Sequence, residues 1–207
     1  MCQARESLRR RTACASRNTC VKTLILRDQK AWVAWLRRNH GACAGVWLRI
    51  ARKGAKVNSV SYAEAVDAAL CFGWIDGQKK KGEEDYWLQR FTPRSARSAW
   101  SRINREKAVR LIERGQMKAA GLREVEQARR DGRWDRAYDS PRGARIPADL
   151  AAVLERIPRA KAFFAALDKR NRYAVLYRIQ TAKKADTRAR RIRQFAAMLS
   201  RQQKIHA

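Results

Sequence analysis

Histidine is scarce in this chain, since its 207 residues include only His40 and His206. Sites of the Ser-His-Asp or Cys-His kind need a histidine base, and zinc or haem sites need several imidazole or thiolate ligands. His40 falls beside a glycine at the end of a predicted helix, a position typical of a helix cap. The sequence therefore predicts no catalytic residue, no metal site and no cofactor.

Other signatures are missing as well. There is no G-x-G-x-x-G or P-loop motif, which excludes nucleotide binding by those routes. No run approaches the ~18 apolar residues of a membrane helix. The five cysteines, at positions 2, 14, 20, 43 and 71, show no C-x-x-C or other metal spacing. Their odd number is typical of a reducing compartment, and Cys71 is predicted to be a buried thiol.

The first twenty residues differ in composition from the rest of the chain. They are rich in arginine but lack the apolar segment of about 7–15 residues that a secretory signal contains. We predict that residues 1–20 form a disordered extension, that the ordered protein begins near Val21, and that the protein is cytoplasmic.

Positive charge dominates the composition. Lysine and arginine total 48 against 19 acidic residues, for a net charge of +29. A charge of this size attracts polyanions such as nucleic acid and anionic lipid. The basic residues are spread along the chain, so solvated faces with incidental polyanion affinity are the alternative to a true binding surface.

Residues 21–138 alternate between strand and helix patterns and predict an α+β domain. Strands are expected at 21–26 and 45–52, and WIDGQ and YWLQRFT should form a hairpin around KKKGEED. Asp28 and a Ser61–Glu64 capping box should begin two helices. Two more are expected at 98–114 and 120–130, ended by Gly115 and Gly132, and Gly41 is able to end the first in the left-handed conformation.

Residues 139–147 (DSPRGARIP) predict a linker, and 148–207 predict an all-helical basic module. Its last helix has an apolar stripe surrounded by arginines. These arginines have three interpretations. They are the solvated side of an amphipathic helix, a sequence-independent surface for nucleic-acid phosphates, or a surface for anionic membranes. The four residues are Arg188, Arg190, Arg191 and Arg193.

A polar and aromatic block, CFGWIDG at 71–77 and RFTPRSARSAWSRIN at 90–104, is the candidate site. The planar guanidinium group of arginine binds carboxylate or phosphate through two hydrogen bonds. Serines at the start of a helix lie near free backbone N–H groups that attract anions. The predicted anion-binding residues are Trp74, Asp76, Arg90, Arg94, Ser98, Trp100, Ser101 and Asn104. The alternative is structural: an Asp76–Arg90 ion pair, Ser98 as an N-cap, and both tryptophans in the core.

The chain also resembles a known family. Over about Leu24 to His206, it is similar to the YdeI/OmpD-associated (bacteriocin-protection) family. The matching sequence segments are, in order, AWVAWLRRNH, SYAEAVDAALCFGWIDG, LQRFTPRSARSAWSRIN, IPADLAAVL and RNRYAVLYRIQTAK. The resemblance implies a role in envelope stress or bacteriocin resistance, association with an outer-membrane porin and, for some members, a periplasmic location. It implies no particular reaction.

Three functions therefore remain open. The first is a non-enzymatic stress-protection protein that binds an anionic group or a protein partner through residues 74–104. The second is a sequence-independent nucleic-acid binder acting through the C-terminal helices. The third is a small enzyme for an anionic substrate, with Asp76 as its base.

Overall fold

The computed structural model describes residues 22–207, which form four strands and eight helices. The strands are β1 (Thr23–Ile25), β2 (Val46–Ala51), β3 (Trp74–Lys81) and β4 (Tyr86–Pro93). The helices are α1 (Gln29–Asn39), α2 (Tyr62–Cys71), α3 (Arg102–Glu113), α4 (Ala119–Arg130), α5 (Ala148–Glu155), α6 (Pro158–Ala166), α7 (Lys169–Gln180) and α8 (Ala185–Ser200). The α+β class, a small mixed sheet followed by an all-helical part, is confirmed. The extension predicted at 1–20 lies outside the described residues.

The sheet has the order β1-β2-β4-β3, with β1 parallel to β2 and the other pairs antiparallel. Val46, Leu48 and Ile50 are buried on one face of β2, as its alternation predicts. The β3–β4 register shifts between Asp76 and Lys79. The buried Gln89 side chain donates to the carbonyls of residues 77 and 78 there, so this irregularity is hydrogen-bonded.

The predicted helix starts follow local capping chemistry. The Asp28 side chain accepts from the Ala31 N–H at 2.7 Å, and Ser61 and Glu64 form the expected capping box. Gly115 and Gly132 follow α3 and α4 with φ of 64° and 72°.

Two details of the helix predictions were wrong. Gly41 is not left-handed; His40 is the C-cap of α1, and both its backbone N–H and its Nδ1 lie within hydrogen-bond distance of the Leu36 carbonyl. The helix expected from residue 98 begins at 102, because Ser101 and not Ser98 accepts a hydrogen bond from the first turn, at the Asn104 N–H.

Buried apolar side chains form two clusters. The first packs α1 to α4 against the sheet around Trp32, Trp74 and Phe91, with Trp32 5.6 Å from Phe91 between ring centroids. The second is formed by α5 to α8 around Leu150, Phe164 and Leu199. The two clusters share no residue, so each part has a core of its own. Burying one large apolar side chain contributes about 1.5–3 kcal/mol to the free energy of unfolding. The domain at 21–138, the linker at 139–147 and the module at 148–207 stay a prediction.

The segment after α4 joins the two clusters. Tyr138 packs edge-on against Tyr177 of α7, with ring centroids 5.0 Å apart. Asp139 accepts from the Gln180 side chain at 2.8 Å and pairs with Arg102 of α3 at 2.8 Å. Its carbonyl also accepts from the Tyr173 hydroxyl at 3.0 Å. These bonds hold α7 beside the start of α3.

Candidate functional site at the junction of the two clusters

The polar-aromatic block is divided between the core and an open cleft. Trp74 and Trp100 are each 1% exposed, so both belong to the core. Asp76, Ser101 and Asn104 line a cleft of about 500 Å³ between the sheet, α2, α3 and α7. Arg90, Arg94 and Ser98 do not line it. The structure therefore brings three of the eight predicted residues to one cleft.

Two arginines of the block, Arg90 and Arg94, are held by aromatic rings. Arg94 is 6% exposed, its Cζ lies 3.6 Å from the centroid of the Trp100 ring, and its Nη1 donates to the Ala99 carbonyl at 3.3 Å. Burial lowers the pKa of Arg94 to about 10. Arg90 lies over Trp47 at 6.0 Å. Within residues 22–207, no ion pair joins Arg90 to Asp76, so the structural pair considered from the sequence does not form.

We call the cavity containing Asp76 the junction cleft. The Tyr62 hydroxyl, at the first position of α2, donates to Asp76 Oδ2 at 2.7 Å. Lys107 of α3 reaches the cleft, and its ammonium pairs with Asp67 of α2. The complete lining is Tyr62, Ala63, Val66, Ile75, Asp76, Gly77, Ser101, Ile103, Asn104, Lys107, Tyr138, Ser140, Pro141 and Tyr173.

The three tyrosines of the cleft are neutral hydrogen-bonding groups. Burial, together with the bond to Asp76, raises the pKa of Tyr62 well above its usual range. Burial also raises the pKa of Tyr138, and it raises that of Tyr173 to about 12. Each hydroxyl therefore keeps its proton at neutral pH, and those of Tyr62 and Tyr173, which already donate to Asp76 and the Asp139 carbonyl, are able to accept a further hydrogen bond.

The charges in the junction cleft favour hydrogen-bond donors over anions. Asp76 is its acidic group, while the single lysine of the lining is already paired with a carboxylate. The walls add apolar surface from Val66, Ile75 and Ile103. This combination suits a ligand with an apolar body that presents a hydroxyl or amino group to Asp76.

The four C-terminal arginines do not share one environment. Arg188 forms two hydrogen bonds with Asp149 and donates to the Ile179 carbonyl, and Arg191 donates to the Arg178 carbonyl. Cations at these carbonyls stabilise the end of α7. Arg190 and Arg193 are exposed. Two of the four therefore have structural contacts, and two are available at the surface.

Tyr62, Lys107, Tyr138 and Tyr173 line the junction cleft but were not predicted as site residues. Tyr62 carried one usable signal in the sequence, because it is an aromatic residue at the first position of a helix that begins with a capping box. Lys107 lies three residues after the predicted Asn104 in α3, so helical spacing could have added it. Tyr138 and Tyr173 come from distant segments, and no spacing in the sequence links them.

Comparison with known proteins divides the chain in a similar way. Residues 144–202 match the family described as Bacteriocin-protection, YdeI or OmpD-Associated. The C-terminal module is of the YdeI/OmpD-associated type. Residues 24–124 match a different description, Domain of unknown function (DUF8412). The YdeI/OmpD-associated resemblance is thus confirmed at family level over α5 to α8, while the sequence segments at 24–124 match another family. No curated protein and no solved structure matches the chain.

Two properties of the described residues bear on the chemistry of the site. In the part of the chain that the structure describes, no group of three or more His, Cys, Asp or Glu side chains is arranged to hold a metal ion. None of the described helices is long and apolar enough to cross a membrane. The junction cleft contains Tyr173 from the YdeI/OmpD-associated segment and Tyr62 and Asp76 from the other matched segment.

Proposed function

We propose that this protein is a non-enzymatic binding protein of the bacteriocin-protection type, and that it holds its ligand in the junction cleft. One observation carries the proposal: both matched segments contribute polar side chains to the same cleft. A binding site shared in this way gives the two segments a common function. Bacteriocin protection comes from the family description of residues 144–202.

The ligand is a small molecule, or a side chain of a protein partner, with a hydroxyl or amino group on an apolar body. Asp76 accepts from this group, and the neutral tyrosine hydroxyls supply further hydrogen bonds. The anionic ligand expected from residues 74–104 is less suited to this cleft, because Arg90 and Arg94 lie elsewhere. Association with an outer-membrane porin, which the family resemblance implies, fits the same proposal if a partner side chain enters the cleft.

Asp76→Asn should weaken binding by at least about tenfold, because a charge-assisted hydrogen bond contributes roughly 1.5–3 kcal/mol. Calorimetry and thermal shift with benzylamine, benzyl alcohol and benzoate as probes, which share one apolar body, measure this. We expect the amine probe to bind best and the acid worst. Tyr173→Phe should also weaken binding.

Tyr86→Phe is the matched control, since Tyr86 lies in β4 and does not line the junction cleft. It should bind the probes as the wild type does. Stronger binding of benzoate than of benzylamine, or equal binding by wild type and Asp76→Asn, would contradict the proposed ligand class.

A further inference from the structure

A second, smaller pocket lies on another part of the junction. Its volume is about 50 Å³, comparable to the space of one or two water molecules at ~30 Å³ each. We call it the arginine pocket, and it shares no lining residue with the junction cleft. It is lined by Arg97, Ala99, Arg133, Arg136, Gln180, Thr181 and Lys183.

Arg133 is the fixed part of this pocket. Its side chain is 6% exposed, and its Nε bonds to both oxygens of Asp131, at 2.9 and 2.8 Å. Its Nη1 donates to the carbonyls of Ser98 and Ser95, at 2.9 and 3.3 Å. Its Nη2 is buried and has no hydrogen-bond acceptor among residues 22–207. A buried guanidinium N–H without an acceptor is costly, which points to a missing anionic or polar partner.

The charges around Arg133 are almost all positive. Arg97, Arg136 and Lys183 are exposed, and none of them has an ion pair within the described part of the chain. Arg136 donates to the Asp131 carbonyl at 2.8 Å. Asp131 therefore offsets one of four cations.

We propose that a phosphate-class oxyanion, either free or as the head of a phosphate monoester, binds in the arginine pocket. Guanidinium groups donate to tetrahedral oxyanions in a bidentate manner, and the small volume admits the head of such a ligand and little more. Nη2 of Arg133 is buried, so a neighbouring side chain of the pocket must move for the anion to reach it. Residues from both sides of the junction then contact one ion, which ties the end of α7 and the loop after it to the loop before α3.

Inorganic phosphate should raise the melting temperature of the wild type with a saturating dose response at constant ionic strength, and sodium chloride should not. Arg97→Gln/Lys183→Gln removes two exposed rim cations and should require at least about tenfold more phosphate for the same shift. Arg133 is left intact in this variant because it bonds the 95–98 loop and its replacement risks the fold.

Arg190→Gln/Arg193→Gln is the matched control, with the same change of charge at exposed positions of α8. It should respond to phosphate as the wild type does. Equal weakening in both double variants would show general electrostatic attraction and overturn the site, as would no weakening in either. Glycerol phosphate distinguishes the two sources: binding as tight as that of inorganic phosphate assigns the pocket to esters, and binding at least about tenfold weaker assigns it to the free ion. Asp76→Asn should leave phosphate binding unchanged, so this test and that of the junction cleft fail separately.

Discussion

Gly121→Ala should lower the free energy of unfolding by about 2 kcal/mol or more, although alanine is the better helix former by about 1 kcal/mol. A Cβ atom at position 121 would lie 2.5 Å from the Cys71 carbonyl oxygen and 2.6 Å from that of Leu70. These are backbone atoms at the end of α2, so they cannot turn aside as a side chain would. The variant must push α4 away from α2.

The same close contact between α2 and α4 also requires a glycine at position 73. Gly73 has φ of 74°, and a Cβ there would lie 2.9 Å from the Ala120 carbonyl oxygen. The Lys118 N–H donates to the Cys71 carbonyl at 3.0 Å, which fixes the start of α4 against the end of α2. Two glycines therefore permit a close backbone contact beneath the sheet.

Urea unfolding of Gly121→Ala and Gly41→Ala measures this effect. Gly41 is the control because nothing lies within 4 Å of its Cβ position and its φ is not left-handed. Gly41→Ala should be neutral or slightly stabilising. A Gly121→Ala protein as stable as the wild type, or more stable, would show that α4 does not approach α2 this closely.

Asn171→Ala should cost about 3 kcal/mol, because two backbone N–H groups lose their acceptor. Asn171 is 2% exposed, and its Oδ1 accepts from the N–H groups of Ile205 and His206 at 3.1 and 2.8 Å. Its Nδ2 donates to the Asp168 side chain at 2.7 Å and to the His206 carbonyl at 3.2 Å. One buried amide thus holds the C-terminal segment against the start of α7.

Two measurements check the role of Asn171. Urea unfolding gives the loss of stability. Amide hydrogen exchange should become faster at Ile205 and His206 by a larger factor than at the other amides of the chain. Gln203→Ala, an exposed change in the same segment, should do neither. Unchanged exchange at both amides in Asn171→Ala would contradict the hydrogen bonds described.

Acid should reduce the effect of Asn171→Ala. Hydrogen bonds from the Asn171 side chain and backbone lower the pKa of the Asp168 carboxyl. A lowered folded-state pKa contributes stability above the unfolded-state pKa, and this stability is lost as the pH falls through the folded value. The difference between wild type and variant should therefore be smaller at about pH 3 than at about pH 7.

Local chemistry explains why much of the fold was predictable. The alternation of Val46, Leu48 and Ile50 and the caps at Asp28 and Ser61 depend on residues within a few positions of one another. The start of α3 was misplaced because two serines, at 98 and 101, both have capping chemistry. Only packing decides between them: the isolated bridge from Ser101 to Tyr138 places Ser101 at the junction.

The candidate site was only partly predictable, for a physical reason. Asp76 and Ser101 stand out because polar residues interrupt an apolar pattern. Arg94 stands out equally, yet its guanidinium packs on Trp100 inside the protein. Tyr138 and Tyr173 reach the junction cleft through tertiary contacts between the two clusters, which no periodicity records.

Complementation of bacteriocin sensitivity tests the central claim most directly. Cells that lack the gene are given wild-type protein, Asp76→Asn or Tyr86→Phe at equal levels, and their survival is measured against a purified bacteriocin active on that strain. If the junction cleft binds the protective ligand, wild type and Tyr86→Phe restore survival and Asp76→Asn does not. Full protection by a stably folded Asp76→Asn protein would contradict the account.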